Sequence, residues 1–150
     1  MMADIELTQA EADDLIKAPK VKVDDSPWMY SGQGDSLRIP LTSEDRRENF
    51  MLDISRGRIE VIRGKYQMRG HHIIILVRLD FGGALHRNPD GLEIPCPHLH
   101  LYREGYGDKW AYQVPSDSFS NLTDLWQTLN DFMRYCNIVD PPNIQQGLFV

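Results

Sequence analysis

The nine residues from Ile73 to Phe81 constrain the fold more than any other part of the chain. Every odd position in this run is apolar, whereas the even positions become polar toward the end of the run, at Arg78 and Asp80. A period of two residues predicts a β-strand with one face in the core. The opposite face turns polar along the strand, so we expect a sheet at the centre of the fold.

Shorter segments with the same alternation lie on both sides of this strand, and they predict further strands. They are residues 37–41, with an edge position suggested by Pro40, and residues 50–55, 58–63, 66–68, 84–87, 92–94, 98–103 and 109–114. The sequence Asn88-Pro89-Asp90-Gly91 predicts a tight turn that joins residues 84–87 to residues 92–94.

Two helices are predicted, one near each end of the chain. Thr8 and Glu11 fit a capping box, and Pro19 stops the helix that follows. A second apolar stripe with helical spacing runs from Leu122 to Cys136, with Ser118 or Ser120 as its N-cap. We therefore predict an α+β fold in one domain, residues 1–150. It has a single bent antiparallel sheet, a short N-terminal helix, and a C-terminal helix packed on one face.

The composition bounds the class of protein. The chain has 150 residues, of which 41 % are hydrophobic and 25 % charged, and these proportions are typical of a globular domain. The longest apolar run, residues 73–77, is too short to cross a membrane. The N-terminus lacks the layout of a secretory signal, and Cys96 and Cys136 form no paired motif. These features predict a cytoplasmic protein without membrane contact or a motif-bound cofactor.

Charge is distributed unevenly. The net charge is −6, yet residues 38–78 carry nine basic and five acidic residues. This basic region predicts an anion-binding or RNA-binding stripe, because arginine offers a planar fork of donors to phosphate. Its members are Arg56, Arg58, Arg63, Lys65, Arg69 and Arg78. The alternative is a solvated edge strand whose charges prevent association.

Three of the five histidines, His86, His98 and His100, lie within fifteen residues. In a strand, His98, His100 and Tyr102 share one face, and Leu99 and Leu101 share the other. If the strand at residues 73–81 places its odd positions in the same core, Arg78 and Asp80 join the histidines. The predicted catalytic residues are His98, His100, His86, Tyr102 and Asp80.

Such a cluster has more than one use. Two imidazoles next to an arginine suit metal-free acid–base cleavage of RNA. A metal site is the second interpretation, with His98 and His100 as neighbours and His86 or Asp80 as a third ligand. Metal-assisted chemistry on the carboxylates Asp53 and Asp80 is a third. The remaining alternative is that the histidines carry no chemistry and are ordinary polar residues on a solvated sheet face. We expect no metal and no other cofactor.

The run H-R-N-P-D-G…P-H-L-H-L-Y-R-E-G-Y-G-D-K-W-A, within residues 73–110, resembles an uncharacterised family of small proteins from bacteria, phages and mobile elements. Residues 86–100 are also similar to the TumE-like toxins of toxin–antitoxin pairs. Those toxins carry a further histidine pair where this chain has Leu92-Glu93. The resemblance implies a toxin that acts on RNA, with His86, His98 and His100 at the matching positions.

Together these features predict a toxin-like protein of a mobile element that acts on RNA, as a metal-independent ribonuclease. RNA and a cognate antitoxin are its expected partners. One alternative is a non-catalytic phage or mobile-element inhibitor of a host defence complex of the CRISPR type, since the acidic ends of the chain suit a basic nucleic-acid channel. Another is an accessory or antitoxin-like partner protein.

Overall fold

The computed structural model describes residues 6–30, 35–56 and 64–146 of the chain. Its helices and strands, in chain order, are α1 (Gln9–Lys17), β1 (Lys20–Lys22), β2 (Pro27–Met29), β3 (Ser36–Ser43), β4 (Asn49–Arg56), β5 (Gly64–Gly70), β6 (Ile74–Phe81), β7 (His86–Arg87), β8 (Glu93–Ile94), β9 (His98–Leu101), β10 (Ala111–Gln113), α2 (Leu125–Tyr135), β11 (Ile138–Asp140) and β12 (Asn143–Gln145).

The fold is mixed α+β, with two helices and a large, mostly antiparallel sheet. Eight strands form this sheet in the order β10-β9-β6-β5-β4-β3-β1-β11, and only β1 and β11 pair in parallel. The prediction of a single sheet is wrong, because β12–β2 and β7–β8 form two further sheets. Gly82 and Gly83, both with positive φ, turn the chain out of the large sheet before β7. The strand predicted at residues 58–63 lies outside the described residues, and the single domain stays a prediction.

Strand β6 lies in the interior of the large sheet, between β5 and β9. Its register aligns Tyr66, Leu79 and Leu99 on one face, and all three are buried in the hydrophobic core. Helix α2 packs on this face, since the hydroxyl of Tyr66 donates to the carbonyl of Leu125 at 3.0 Å and its ring contacts Phe132. Of the odd positions in this run, Val77, Leu79 and Phe81 meet the core, as predicted. The prediction is wrong for Ile73, which is 56 % exposed, and the even position Leu76 is buried instead, because the pairing of β5 with β6 shifts register between Met68 and Arg69.

The two helices begin with side-chain caps. The capping box of Thr8 and Glu11 is present, as predicted. Helix α2, however, is capped by Asp124, whose carboxylate accepts from the N–H of Gln127 at 3.1 Å. Ser118 and Ser120 lie too early, because residues 115–123 form turns rather than helix. The apolar stripe predicted from Leu122 to Cys136 therefore begins before the helix, which starts at Leu125.

Lys20 is buried completely, although lysine is rarely buried without a counter-charge. Its ammonium donates to three carbonyl groups, those of Ile16 at 2.8 Å, Ala18 at 2.9 Å and Cys136 at 2.8 Å. These carbonyls lie at the C-terminal ends of α1 and α2, where helix carbonyls lack partners and the helix dipole is negative. One side chain thus caps both helices.

Strand β3 pairs with β4 along most of its length and with β1 at Leu41–Ser43 only. Within the described residues Pro40 pairs with β4 alone, so the predicted edge position holds at Pro40, and its missing N–H interrupts no ladder with β1. Across the described segments of the chain, neither helix has the length and apolar character that crossing a membrane requires.

Candidate functional site

Strands β6 and β9 bring four predicted site residues together. Their antiparallel register places Asp80 opposite His98 and Arg78 opposite His100, on the sheet face away from α2. The alternation of polar and apolar residues in the two strands is the cause, because the apolar positions meet the core. The predicted shared face of Arg78, Asp80, His98 and His100 is confirmed.

Asp80 is the centre of this group. Its Oδ2 lies 3.3 Å from Nε2 of His98 and 3.4 Å from Nε2 of His100. Its Oδ1 accepts a hydrogen bond from Nε of Arg78 at 3.1 Å. One carboxylate oxygen therefore serves the arginine and the other faces both imidazoles.

Arg78 is held by a second carboxylate that the sequence analysis missed. Its Nη1 lies 2.5 Å from Oδ2 of Asp108, which follows the turn between β9 and β10, and its Nη2 lies 3.0 Å from Nε2 of His100. The only signal for Asp108 in the sequence was its position between the predicted strands at residues 98–103 and 109–114. Because Asp80 and Asp108 both pair with Arg78, its charge is neutralised and it orients His100.

The tautomer of His100 follows from its surroundings. Its Nδ1 lies 2.8 Å from the backbone carbonyl of Asp108, and a carbonyl can only accept a hydrogen bond. Nδ1 therefore carries a proton, and in the neutral ring the lone pair is on Nε2. This lone pair points toward Arg78 and Asp80.

His86 reaches the cluster from the β7–β8 hairpin. Its ring centroid is 4.6 Å from that of His100 and 5.8 Å from that of His98, and the His98 and His100 centroids are 4.9 Å apart. Its Nε2 donates to the carbonyl of Lys109 at 2.7 Å. We call these side chains (Arg78, Asp80, His86, His98, His100 and Asp108) the histidine cluster.

The hairpin is anchored by Asn88, which is buried. Its side-chain amide donates to the carbonyl of Ala111 at 2.9 Å and accepts from the N–H of Ala111 at 2.8 Å. Asn88 therefore pairs with the edge strand β10 as a neighbouring strand would. This contact fixes His86 over the other two rings.

The cluster is enclosed. His98 is 3 % exposed and His100 is 1 % exposed, whereas His86 is half-buried. A pocket of about 470 Å³ opens beside the residues that precede His98, and Pro95, Cys96 and Pro97 are part of its lining. No histidine lines this pocket, and His86 is the most exposed of the three imidazoles.

Burial and charge set the protonation of the cluster. Burial lowers the pKa of His98, and the nearby His100 lowers it further, although Asp80 opposes this shift. Burial alone would raise the pKa of Asp80, but the neighbouring His100 and the charge of Arg78 outweigh it and lower the pKa to about 2. At neutral pH the carboxylate of Asp80 is ionised and His98 is neutral.

Acid is therefore expected to destabilise the fold. In the unfolded chain His98 takes up a proton as the pH falls below about 6.5, whereas in the folded protein it does so only at a lower pH, because its pKa is lowered. The free energy of unfolding therefore decreases as the pH falls from about 6.5 through the pKa of His98 in the folded protein. Asp80, His100, His86 and Arg78 are the charged or titratable groups around this ring. Urea unfolding at pH 7.5, 6.5 and 5.5 measures the effect. His98→Gln should flatten the dependence in this range, and an equally steep dependence in that variant would contradict the assignment.

Other predicted site residues lie elsewhere. The hydroxyl of Tyr102 exchanges hydrogen bonds with the backbone of Leu7, both at 2.8 Å, so Tyr102 anchors the N-terminal segment and stands apart from the histidines. The structure therefore does not bring the phenol of Tyr102 into the histidine cluster. Separately, the thiol of Cys96 donates to the carbonyl of Asp80 at 3.4 Å.

The structure brings the predicted basic stripe together in part, with Lys65, Arg69 and Arg78 on one face of β5 and β6. Arg69 forms two hydrogen bonds with Asp53, at 2.6 and 2.9 Å, and Arg56 is buried against the ring of Tyr30. Lys65 is exposed on the same sheet face as Arg69. Arg58 and Arg63 lie outside the described residues. Among the described arginines of this stripe, Arg69 and Arg78 are already paired with carboxylates.

Comparison with known proteins gives one match. Residues 7–138 match the model of a family of unknown function, DUF6978. No curated protein and no solved structure matches the chain significantly. The match agrees with the resemblance to an uncharacterised family, and it assigns no chemistry to the histidine cluster.

Proposed function

The chain belongs to the DUF6978 family of unknown function, and we propose that it cleaves RNA by histidine acid–base chemistry, as a toxin of a mobile element. One observation carries the proposal: the ring centroids of three imidazoles lie within 5.8 Å of one another, beside the carboxylate of Asp80 and the guanidinium of Arg78. The resemblance of residues 86–100 to TumE-like toxins supports the same function.

His98 is the base in this proposal. The carboxylate of Asp80 accepts from Nε2–H of His98, which leaves the lone pair on Nδ1. This Nδ1 is buried, and the backbone of Pro95 interacts with the ring. A carboxylate that orients the ring while the other nitrogen meets the substrate is the arrangement of an Asp–His pair in acid–base catalysis, so the proposal requires a ribose hydroxyl to replace the Pro95 contact.

The reaction needs no cofactor. Nδ1 of His98 takes the proton of a ribose 2′-hydroxyl, and the oxygen attacks the adjacent phosphorus. The bond from phosphorus to the 5′-oxygen breaks, a cyclic 2′,3′-phosphate forms, and protonated His86 gives its proton to the leaving oxygen. Arg78 stabilises the developing charge through exchange of its Asp108 contact for phosphate. Because His98 is buried, RNA must displace neighbouring groups to reach it, while His86 keeps its place beside the cluster.

Single-stranded RNA incubated with the purified protein in EDTA tests this proposal. We expect cleavage that ends in cyclic phosphates, and at least a roughly 100-fold slower rate for His98→Ala and His86→Ala. A substrate with one 2′-deoxy residue should resist cleavage at that position. His72→Ala, an exposed histidine outside the cluster, is the matched control. Absence of cleavage by the wild-type protein, or equal rates in all variants, would refute the proposal.

The same variants decide the role in cells. Induced expression of the wild-type protein should arrest growth, and co-expression of a cognate antitoxin should relieve the arrest. The proposal places the protein in the cytoplasm, where its two free cysteines stay reduced. Arrest that persists in folded His98→Ala protein would exclude the catalytic role.

A second candidate function is a non-catalytic inhibitor of a host defence complex. Burial favours it, because almost every ring nitrogen of His98 and His100 is bonded within the protein. Such an inhibitor should bind a host nucleic-acid complex and retain this binding in His98→Ala. It should lose the binding when exposed acidic residues such as Asp24 and Asp25 are reversed in charge. Loss of binding in His98→Ala alone would argue against it.

A further inference from the structure

We propose that Asp80, His98 and His100 form a three-ligand site for one divalent transition-metal ion of the Zn²⁺ class. This binding site goes beyond the proposed RNA chemistry and does not depend on it. The ligand atoms, Oδ2 of Asp80 and one ring nitrogen of each histidine, lie within 4.8 Å of one another. All three belong to adjacent strands, so the backbone fixes their relative positions.

The distances fit a tetrahedral ion. Ligand atoms about 2.1 Å from zinc in a tetrahedron are about 3.4 Å from one another. Oδ2 of Asp80 is 3.3 Å from Nε2 of His98 and 3.4 Å from Nε2 of His100. Two edges of the tetrahedron are therefore present, and the third, between the ligand nitrogens of the two histidines, is no longer than 4.8 Å.

The surroundings of His100 and Asp80 are those of metal ligands. A ligating histidine commonly donates its other N–H to a backbone carbonyl, which fixes the tautomer. His100 does so through Nδ1 and the carbonyl of Asp108, at 2.8 Å. A ligating carboxylate is also usually hydrogen-bonded, and Oδ1 of Asp80 accepts from Arg78 while Oδ2 faces the imidazoles.

Arg78 is compatible with a cation at this position. Its guanidinium pairs with both Asp80 and Asp108, so these three side chains carry a net charge of −1 when ionised. Of the contacts of Arg78, an incoming ion displaces only the one with Nε2 of His100, at 3.0 Å, and it also replaces the contact between Nε2 of His98 and Oδ2 of Asp80. The two carboxylate contacts of Arg78 can stay in place.

The donor set selects the class of metal. Two imidazole nitrogens and one carboxylate suit Zn²⁺, Co²⁺ or Fe²⁺, whereas Mg²⁺ and Ca²⁺ prefer oxygen ligands only. Three protein ligands leave a further position for water or a substrate atom. The metal also requires the proton of His98 on Nδ1 and the lone pair on Nε2. The proposed base of RNA cleavage has the opposite tautomer, so on that proposal a bound metal inhibits cleavage.

Titration of chelator-treated protein with Zn²⁺, in competition with a colorimetric chelator, tests the site. We expect one ion per chain and at least a roughly 100-fold weaker affinity in His98→Ala and in the isosteric Asp80→Asn, a loss beyond that of an outer-shell change. His71→Ala and His72→Ala, both exposed, are the matched controls. Zn²⁺ affinity that is the same in His98→Ala as in the wild-type protein would overturn the proposal.

Co²⁺ provides a readout that needs no variant. Bound to the wild-type protein in a tetrahedral site, it should give visible absorption bands much stronger than those of the aqueous ion, and Zn²⁺ should abolish them. A spectrum identical to that of aqueous Co²⁺ would exclude the site even if a variant failed to fold. RNA cleavage is measured separately, so metal binding without cleavage retains this site and refutes the proposed function. Cleavage without metal binding does the reverse.

Discussion

Lys20→Met is expected to lower the free energy of unfolding by about 3 kcal/mol, because three buried carbonyls would lose their donor. The methionine fills a similar volume but donates no hydrogen bond. Burial lowers the pKa of Lys20 to about 8, so at pH 7 the ammonium keeps all three protons for the carbonyls of Ile16, Ala18 and Cys136. The variant thus uncaps both helices at once.

Urea unfolding at pH 7, followed by circular dichroism, measures this loss. Lys22→Met is the matched control, since Lys22 lies two residues further along β1 and makes surface ion pairs with Asp25 at 2.8 Å and Asp140 at 3.6 Å. Such exposed pairs contribute at most about 1 kcal/mol. Equal losses of unfolding free energy in the two variants would show that the three hydrogen bonds of Lys20 stabilise the fold no more than the surface ion pairs of Lys22 do.

Asn88→Ala is expected to cost about 2 kcal/mol and to release the β7–β8 hairpin from the large sheet. The substitution removes two hydrogen bonds and leaves the N–H and the carbonyl of Ala111 buried without partners. His86 then loses its fixed position over His98 and His100.

Amide hydrogen exchange shows whether the hairpin has been released. The N–H of Ala111 should exchange much faster in Asn88→Ala, while the amide protons of β5 and β6 stay protected. Glu93→Ala, on the exposed side of the same hairpin, should leave the exchange at Ala111 unchanged. Protection of Ala111 in the Asn88 variant would mean that another contact holds the hairpin.

The part of the site built on strands could be predicted from the sequence. Side chains alternate between faces along a strand, so the apolar Leu79 and Leu99 were enough to place Asp80 and His98 on the same face. The pairing of Asp80 with His98 required one further condition, that β6 and β9 be neighbours. The alternation of residues within a single strand does not show which strands are neighbours in the sheet.

The rest of the site depends on contacts between distant loops. Asp108 and Lys109 approach the histidines only because the turn after β9 folds back, and no periodicity signals this. The ion pair of Arg69 was not predicted for a similar reason, since Asp53 is fourteen or more residues from its partners Gln67 and Arg69. Tyr102 comes just after β9 ends, where alternation no longer sets the side-chain direction.

The position of β1 bears on how the chain folds during synthesis. Lys20 and its neighbours pair with β11, and the N–H of Lys20 donates to the carbonyl of Asn137 at 2.9 Å. A nascent chain thus has strands β3 to β10 outside the ribosome well before β11, the second partner of β1, has emerged. Until then the edge of β1 that does not pair with β3 offers an unpaired backbone, open to chaperones or to another nascent chain.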